Sequence, residues 1–238
     1  MRLSAPLFRL KRQARLLSRR ASIPLNQALD RIARGEGFRS WSALSARFTP
    51  DRPAARIYRQ LQPGDLLLLA ARPGHGKTML GLEMLLEAAA RGRHTMFFTL
   101  EWSLDEARSR LASLGSGVHG LPEHPGLDTS DAISADHIMH RMQDAPRGSL
   151  AVVDYLQLLD QDRRKPDVAE QLAALKAFAA RTGVILVLIS QIDRSFDPDS
   201  KPMPDMADIR LPNPLQLSVF TKACFVHDGE IRLDAVAA

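Results

Sequence analysis

At 238 residues, 45% hydrophobic and 25% charged, the chain has room for one large domain, or for one domain and a small appendage, with a real core. Its single cysteine, Cys224, excludes a disulfide framework and a cysteine metal cluster. No apolar run approaches the roughly 18 residues a membrane helix needs, so a reducing, cytoplasmic setting without a membrane is expected. The net charge of +5 is unevenly spread: residues 1–62 hold 14 Lys/Arg against 3 Asp/Glu (+11), and the remainder 18 against 24 (−6).

Residues 1–50 predict a small basic module of three short helices. Leu7, Leu10, Ala14 and Leu17 mark one face of the first. Ser22 is the expected cap of the second, with Pro24 in its first turn and Leu25, Ala28, Leu29 and Ile32 as its apolar face; Gly35 and Gly37 end it. Ser40 is the expected cap of the third, 41–48, where Trp41 and Phe48 fill a small core. The charge of this module has three readings. It is a solvated face, or a nucleic-acid contact. It is also compatible with an organelle transit peptide, because residues 1–29 hold no acid and many Arg and Ser. Residues 51–62 read as a linker with a short helix at 54–61, and residues 63–238 as the main domain.

From residue 66 strand and helix alternate. Leu-Leu-Leu-Leu-Ala-Ala, 66–71, is apolar throughout, as in a strand buried on both faces. Arg72-Pro73-Gly74-His75-Gly76-Lys77-Thr78 follows, and then a helical pattern. Strand, glycine-bearing loop, Lys-Thr and helix is the layout of a phosphate-binding loop. Gly74 and Gly76 let successive N–H groups curl around a phosphate, and the helix N-terminus adds its positive dipole end. Lys77 is expected to reach the β/γ-phosphates and the Thr78 hydroxyl to hold Mg²⁺. Ala71 stands where the pattern usually has Gly. His75 is read as a filler that offers only its N–H. Ala71 to Met79 is therefore the candidate nucleotide-binding segment, with ATP and Mg²⁺ as its ligands.

Further strands are expected at 95–100, 150–154 and 183–190, with a loop-like stretch at 115–133. Helices are expected after the capping box Ser103–Glu106, at 134–143 and at 168–181. His137 and His140 fall on an exposed helical face. Residues 192–214, with five prolines, are irregular, and a hairpin closes around Asp228-Gly229. Strands apolar on both faces, alternating with helices, argue for an α/β fold with a mostly parallel sheet flanked by helices, preceded by the small all-α module. Three strand ends then offer chemistry to one crevice. Asp154 would hold Mg²⁺ through a water, Glu101 would take the proton of an attacking water, and the Gln191 amide would sense a γ-phosphate.

These motifs together resemble the ATPase domain of DnaB-type replicative helicases, of the RecA-like class. Ala71-Arg-Pro-Gly-His-Gly-Lys-Thr78 is similar to that family's Ala-Arg-Pro-x-x-Gly-Lys-Thr, which accounts for Ala71. Phe97-Phe-Thr-Leu-Glu-Trp-Ser103, Val153-Asp-Tyr-Leu-Gln-Leu-Leu159, Ser190-Gln-Ile-Asp-Arg194 and Asp208-Ile-Arg210 resemble its later motifs in the right order. The resemblance implies a RecA-like core that couples ATP hydrolysis to movement on single-stranded DNA, usually as a hexameric ring, with Glu101 as catalytic base. Arg194 and Arg210 are candidate contacts to DNA or phosphate, and a replication protein is a candidate partner. The chain departs from the family after Arg210, where Leu211-Pro-Asn-Pro-Leu-Gln-Leu217 replaces an acidic run. The late Lys-x-Arg-Asn-Gly segment that carries the family's arginine finger is not found, and Arg232 does not match it. Residues 8–48 resemble instead a short helical module at the start of assorted bacterial proteins. The rival expectation is a nucleotide-dependent interaction or assembly module with little ATPase and no unwinding activity.

Overall fold

The computed structural model describes residues 3–5, 7–48, 53–115, 125–154, 166–210 and 217–236. The chain divides into two compact units, Met1–Arg52 and Pro53–Ala238.

The first unit contains helices α1 (Leu7–Ala21), α2 (Leu25–Gly35) and α3 (Trp41–Phe48). Its core is small: Leu10, Ala14, Ala28, Ala33 and Leu44 are buried. Three alanines among those five allow the helix backbones to approach closely. Trp41 is only half-buried, and Leu44, one turn further on, takes the core position expected of it. The side chain of Phe48 lies outside the described residues. Ser22 does not cap α2: it sits at φ +50°, and Pro24 occupies the N-cap with no side-chain bond. Ser40 does cap α3, its Oγ accepting from the Ala43 N–H at 3.3 Å, and Asp30 Oδ1 accepts from the Trp41 N–H at 2.8 Å.

The second unit opens with α4 (Pro53–Tyr58), which packs on α5 (Lys77–Ala89). Between them runs β1 (Leu66–Ala71). There follow β2 (Thr95–Thr99), α6 (Leu104–Gly115), β3 (Gly126–Asp128), α7 (Ala135–Met142), β4 (Leu150–Asp154), α8 (Val168–Thr182), β5 (Ile185–Gln191), β6 (Lys222–His227) and β7 (Glu230–Ala235). The strands form one sheet in the order β3-β2-β4-β5-β1-β6-β7. All neighbours are parallel except the closing pair β6 and β7. Asp228 at φ +48° and Gly229 at φ +82° give that hairpin two consecutive left-handed residues, the signature of a type I′ turn. Strand β3 lies inside the stretch expected to be loop. Gly-Leu-Asp is too short to carry a period of its own, and it becomes a strand only by pairing with Met96–Phe98. A short 3-10 turn, Met206–Asp208, interrupts the otherwise irregular 192–210.

The central strands are buried end to end, as their unbroken apolar runs require. Leu67, Leu69, Phe97, Val152, Val187 and Ile189 face α4, α5 and α6. Leu66, Leu68, Phe98, Val153, Leu186 and Leu188 face α7 and α8. The result is a three-layer α/β/α sandwich, a RecA-like fold. Among the described residues no helix is long and apolar enough to cross a membrane.

Gly81 sets how closely α5 lies on the sheet. A Cβ there would stand 3.1 Å from Ile189 Cδ1 and 3.1 Å from Val152 Cγ1. Gly81→Ala is expected to be near neutral, since a helix propensity gain of about 1 kcal/mol offsets mild crowding. Gly81→Leu is expected to lose about 1–3 kcal/mol by overpacking, read from the urea midpoint.

Candidate nucleotide-binding site

A parallel sheet delivers all its carboxyl ends to one edge, where ligands of such folds collect. Here β1 ends at Ala71, β2 at Thr99, β4 at Asp154 and β5 at Gln191. Register pairs Ala71 with Gln191 and Thr99 with Asp154. Each lies two residues beyond a side chain of the α5 face (Leu69, Phe97, Val152, Ile189), so strand alternation turns all four toward α5.

The loop between β1 and α5 bends at Gly74, φ +78°, and Gly76, φ +81°. A Cβ would meet nothing within 4 Å at either position, so glycine is required by conformation rather than by space. Pro73 and Gly74 are exposed at the tip, and Met79 packs into the α5 core. Gly76 is the N-cap of α5 and supplies no side-chain acceptor. The first N–H groups of the helix are thus left for an anion. Lys77 and Thr78 follow immediately and are each only 8% exposed.

Asp154 is fully buried, and among the described residues neither carboxylate oxygen has a partner at hydrogen-bond geometry, although the Thr78 hydroxyl lies close to it. Burial pushes its pKa up to about 6; the nearby Thr78 hydroxyl opposes that rise, the Glu101 charge adds to it, and the Lys77 ammonium opposes it. An orphaned buried carboxylate beside a threonine hydroxyl is a hard-oxygen donor set that fits Mg²⁺. Among the described residues no group of three or more His, Cys, Asp or Glu could enclose a metal. Ser190 Oγ is likewise buried without a partner, one residue before Gln191.

Glu101 is exposed just beyond β2, and its N–H donates to Thr99 Oγ1 at 3.1 Å. Trp102 pins the turn, with its ring 5.9 Å from Phe97 and the Arg110 guanidinium 4.4 Å above it. The expected capping box closes behind it: the Ser103 N–H donates to Glu106 at 2.9 Å and the Glu106 N–H to Ser103 Oγ at 3.3 Å. Gln191 is half-buried as the last residue of β5 rather than the first beyond it.

Two loop residues behave differently from expectation. The Arg72 side chain donates to the carbonyls of Arg194 and Phe196, with the Phe196 ring centroid 5.2 Å from its guanidinium. His75 is more than a filler: its ring stacks on that of His227 at 5.4 Å, and His227 meets Phe196 edge-on at 5.3 Å. The candidate nucleotide loop is therefore clasped at Arg72 to the segment after β5 and at His75 to the end of β6, where His227 in turn meets Phe196. His227 and Phe196 were not visible as site residues in the sequence. The signal was the register of a parallel β6, which places His227 one residue beyond the partner of Ala71. Arg72→Ala is expected to cost about 1.5–3 kcal/mol by leaving those carbonyls unpaired, seen as a lower urea midpoint.

Arg194 and Arg210 lie on this same clasped segment. Ile192 bridges Ile209, the Asp193 N–H donates to the Asp208 carbonyl at 2.7 Å, and the Arg210 N–H to the Gln191 carbonyl at 2.8 Å. Both arginine side chains are exposed. Asp208, in the Asp-Ile-Arg motif, braces the segment by accepting from Lys201 at 2.7 Å. His137 does not simply line an exposed face: it bonds Asp128 at 2.9 Å, and Arg141 joins the same oxygen at 3.3 Å. Residues 155–165 and 211–216, with the Tyr155–Leu159 and Leu211–Gln216 parts of the motifs, lie outside the described residues. A groove of about 520 Å³ between α6 and β3, lined by Leu104, Arg108, Leu111 and Leu127 among others, contains none of the candidate phosphate-site residues.

Comparison with known proteins places this geometry. The replicative DNA helicase DnaB of Pasteurella multocida is 28% identical over 224 residues, covering 78% of this chain and 47% of that protein. The DnaB of Leifsonia xyli is 27% identical over 181 residues, covering 63% and 40%. The chain thus spans about half the length of the curated relatives it matches. The fold is shared with a solved structure of a DnaB-like replicative helicase and its interactions with primase. That likeness has a TM-score of 0.58 at 15% identity and covers 96% of this chain and 71% of the other. The model of the DnaB-like helicase C-terminal domain matches residues 55–124 and 126–213, well over half of the chain and starting within α4, and the chain belongs to that family.

Proposed function

We propose that the second unit binds ATP with Mg²⁺ and hydrolyses it, acting on or near single-stranded DNA as an ATPase domain of DnaB type. The observation that carries this reading is Asp154: a fully buried carboxylate with no partner at hydrogen-bond geometry among the described residues, set beside Thr78 and Lys77 at the end of β4. A group that costly to bury needs a ligand, and a divalent cation is the ligand its chemistry suits. In this reading the loop amides and Lys77 bind the phosphates. Thr78 and Asp154 hold Mg²⁺, which neutralises phosphate charge when bound. Glu101 takes the proton of the attacking water, and Gln191 contacts the γ-phosphate. Gln191 accepts the Arg210 N–H through its carbonyl, and Arg72 ties the loop to Arg194. A phosphate gained or lost at the loop is thereby felt at the two arginines that would meet DNA. Assembly with copies of itself, as a hexameric ring, or with a replication partner such as the primase named with the solved relative, is part of the same proposal.

One observation favours a second reading, a nucleotide-dependent interaction module with little turnover. Arg232 is held by Asp234 at 2.8 Å and by the Pro204 carbonyl at 3.0 Å, and so is engaged within its own chain. An arginine finger supplies about 10³–10⁵ in rate. The test is steady-state ATP turnover with and without single-stranded DNA, in the wild type and in Lys77→Ala. Turnover that DNA stimulates and Lys77→Ala abolishes supports the motor reading. Tight ATP binding with negligible turnover in both conditions supports the interaction module.

A further inference from the structure

We propose that the outer face of α1 is a nucleic-acid backbone site in its own right, independent of the nucleotide site in the second unit. The helix carries no acid, and its inward positions Leu10 and Ala14 are buried. Arg12, Arg15 and Arg19, at i, i+3 and i+7, fall on the opposite side and are exposed, with Lys11 and Arg20 exposed on the flanks. At 1.5 Å per residue that row spans about 10 Å, the axial rise of about three phosphates of one strand.

Among the described residues no acid of the unit is bonded to this row. Residues 1–52 hold 12 Lys/Arg and three acids, a charge of +9. Two of those acids are spent on the fold: Asp30 accepts the Trp41 N–H at 2.8 Å, and Glu36 accepts from the Ser4 backbone and hydroxyl, which hold its carboxyl below the usual range. The third, Asp51, lies outside the described residues. The helix carries five arginines against one lysine, which also suits planar contact with phosphate oxygens. A lipid surface fits less well, because a membrane-bound cationic helix inserts its apolar face, and here that face is already occupied by the packing of α1 on α2. Contacts of this kind read charge rather than sequence, so single strands and duplexes are both bound.

The test uses the full chain without nucleotide. Anisotropy of a labelled oligonucleotide, single-stranded and duplex, is titrated over a salt series. The variant Arg12→Gln/Arg15→Gln/Arg19→Gln is compared with wild type and with Arg91→Gln/Arg108→Gln/Arg181→Gln, which removes three exposed charges from the second unit. The α1 variant is expected to lose about 10–10²-fold in affinity at about 0.1 M salt, and its log K against log salt slope to shrink by about 2–3, with the other variant near wild type. Unchanged helix content by circular dichroism and unchanged ATP turnover without DNA show that the fold stands. Wild-type affinity and slope in the α1 variant would overturn the proposal, as would equal losses in both variants. Tighter binding of polyglutamate or of phosphatidylserine vesicles than of the oligonucleotide, at matched charge, would overturn it in favour of an acidic protein or a membrane. In Lys77→Ala the α1-dependent binding is expected to persist, so failure of the ATPase reading leaves this one standing.

Discussion

Glu101→Gln is expected to lower ATP turnover by about 10²–10⁴-fold with little change in the affinity for ATP and Mg²⁺. The side chain is exposed, its turn is fixed by Thr99 Oγ1 and by Trp102 between Phe97 and Arg110, and none of these contacts uses the carboxylate. Glutamine keeps the shape and removes only the ability to take a proton. A second consequence separates this role from simple binding. The Glu101 charge is one of the influences that raise the Asp154 pKa. Its removal lowers that pKa, which offsets the loss of a negative charge near the cation, so Mg²⁺ affinity changes little while turnover collapses. Single-turnover hydrolysis and equilibrium binding of a fluorescent ATP analogue measure the two separately. A parallel fall in both would make Glu101 a binding residue, and unchanged turnover would remove it from the site.

Most of the second unit was legible because its strands announce themselves twice, as unbroken apolar runs and by the turn chemistry that ends them. Leu66–Ala71 with its glycine loop, and Leu150–Asp154 with its terminal acid, needed no tertiary information. What escaped were features that exist only through a neighbour. Strand β3 is three residues long and is defined by its partner β2. His137 looked like one of an exposed pair until Asp128, at the end of β3, was placed beside it. Arg72 and His75 sit in a motif whose backbone does the recognised work, so nothing local says where their side chains go. Their partners, Phe196 and His227, are more than 120 residues away in the chain. In the first unit Ser22 carried a reasonable cap signal but lost to Pro24, whose fixed φ near the value a helix entrance needs starts α2 without a side-chain bond.

Asp154→Asn is expected to abolish Mg²⁺-dependent nucleotide binding and, in the same molecule, to stabilise the unliganded fold. A carboxyl shifted from an ordinary 3.8 to about 6 costs the folded protein on the order of 3 kcal/mol when ionised at about pH 7. Asparagine resembles the neutral acid in shape and in its unpaired polar atoms, so the exchange removes the charge cost and leaves the rest. The expected gain is on the order of 2–3 kcal/mol in the urea unfolding free energy. The sign with pH follows from the folded value lying above the unfolded one. The folded wild type binds this proton more tightly than the unfolded chain does, so its stability contribution is greatest below about pH 4. It declines as pH rises through about 4–6 and is flat above. The asparagine variant lacks that slope. Metal binding runs the other way, because Mg²⁺ needs the ionised carboxylate: its affinity in the wild type falls as pH drops below about 6. Adding Mg²⁺ with ATP should restore to the wild type the stability the buried charge removed, and should do nothing comparable for the variant. An asparagine variant that is less stable than wild type, or that keeps the slope between about pH 4 and 6, would mean that the burial of Asp154 is compensated within the fold and is not held open for a cation.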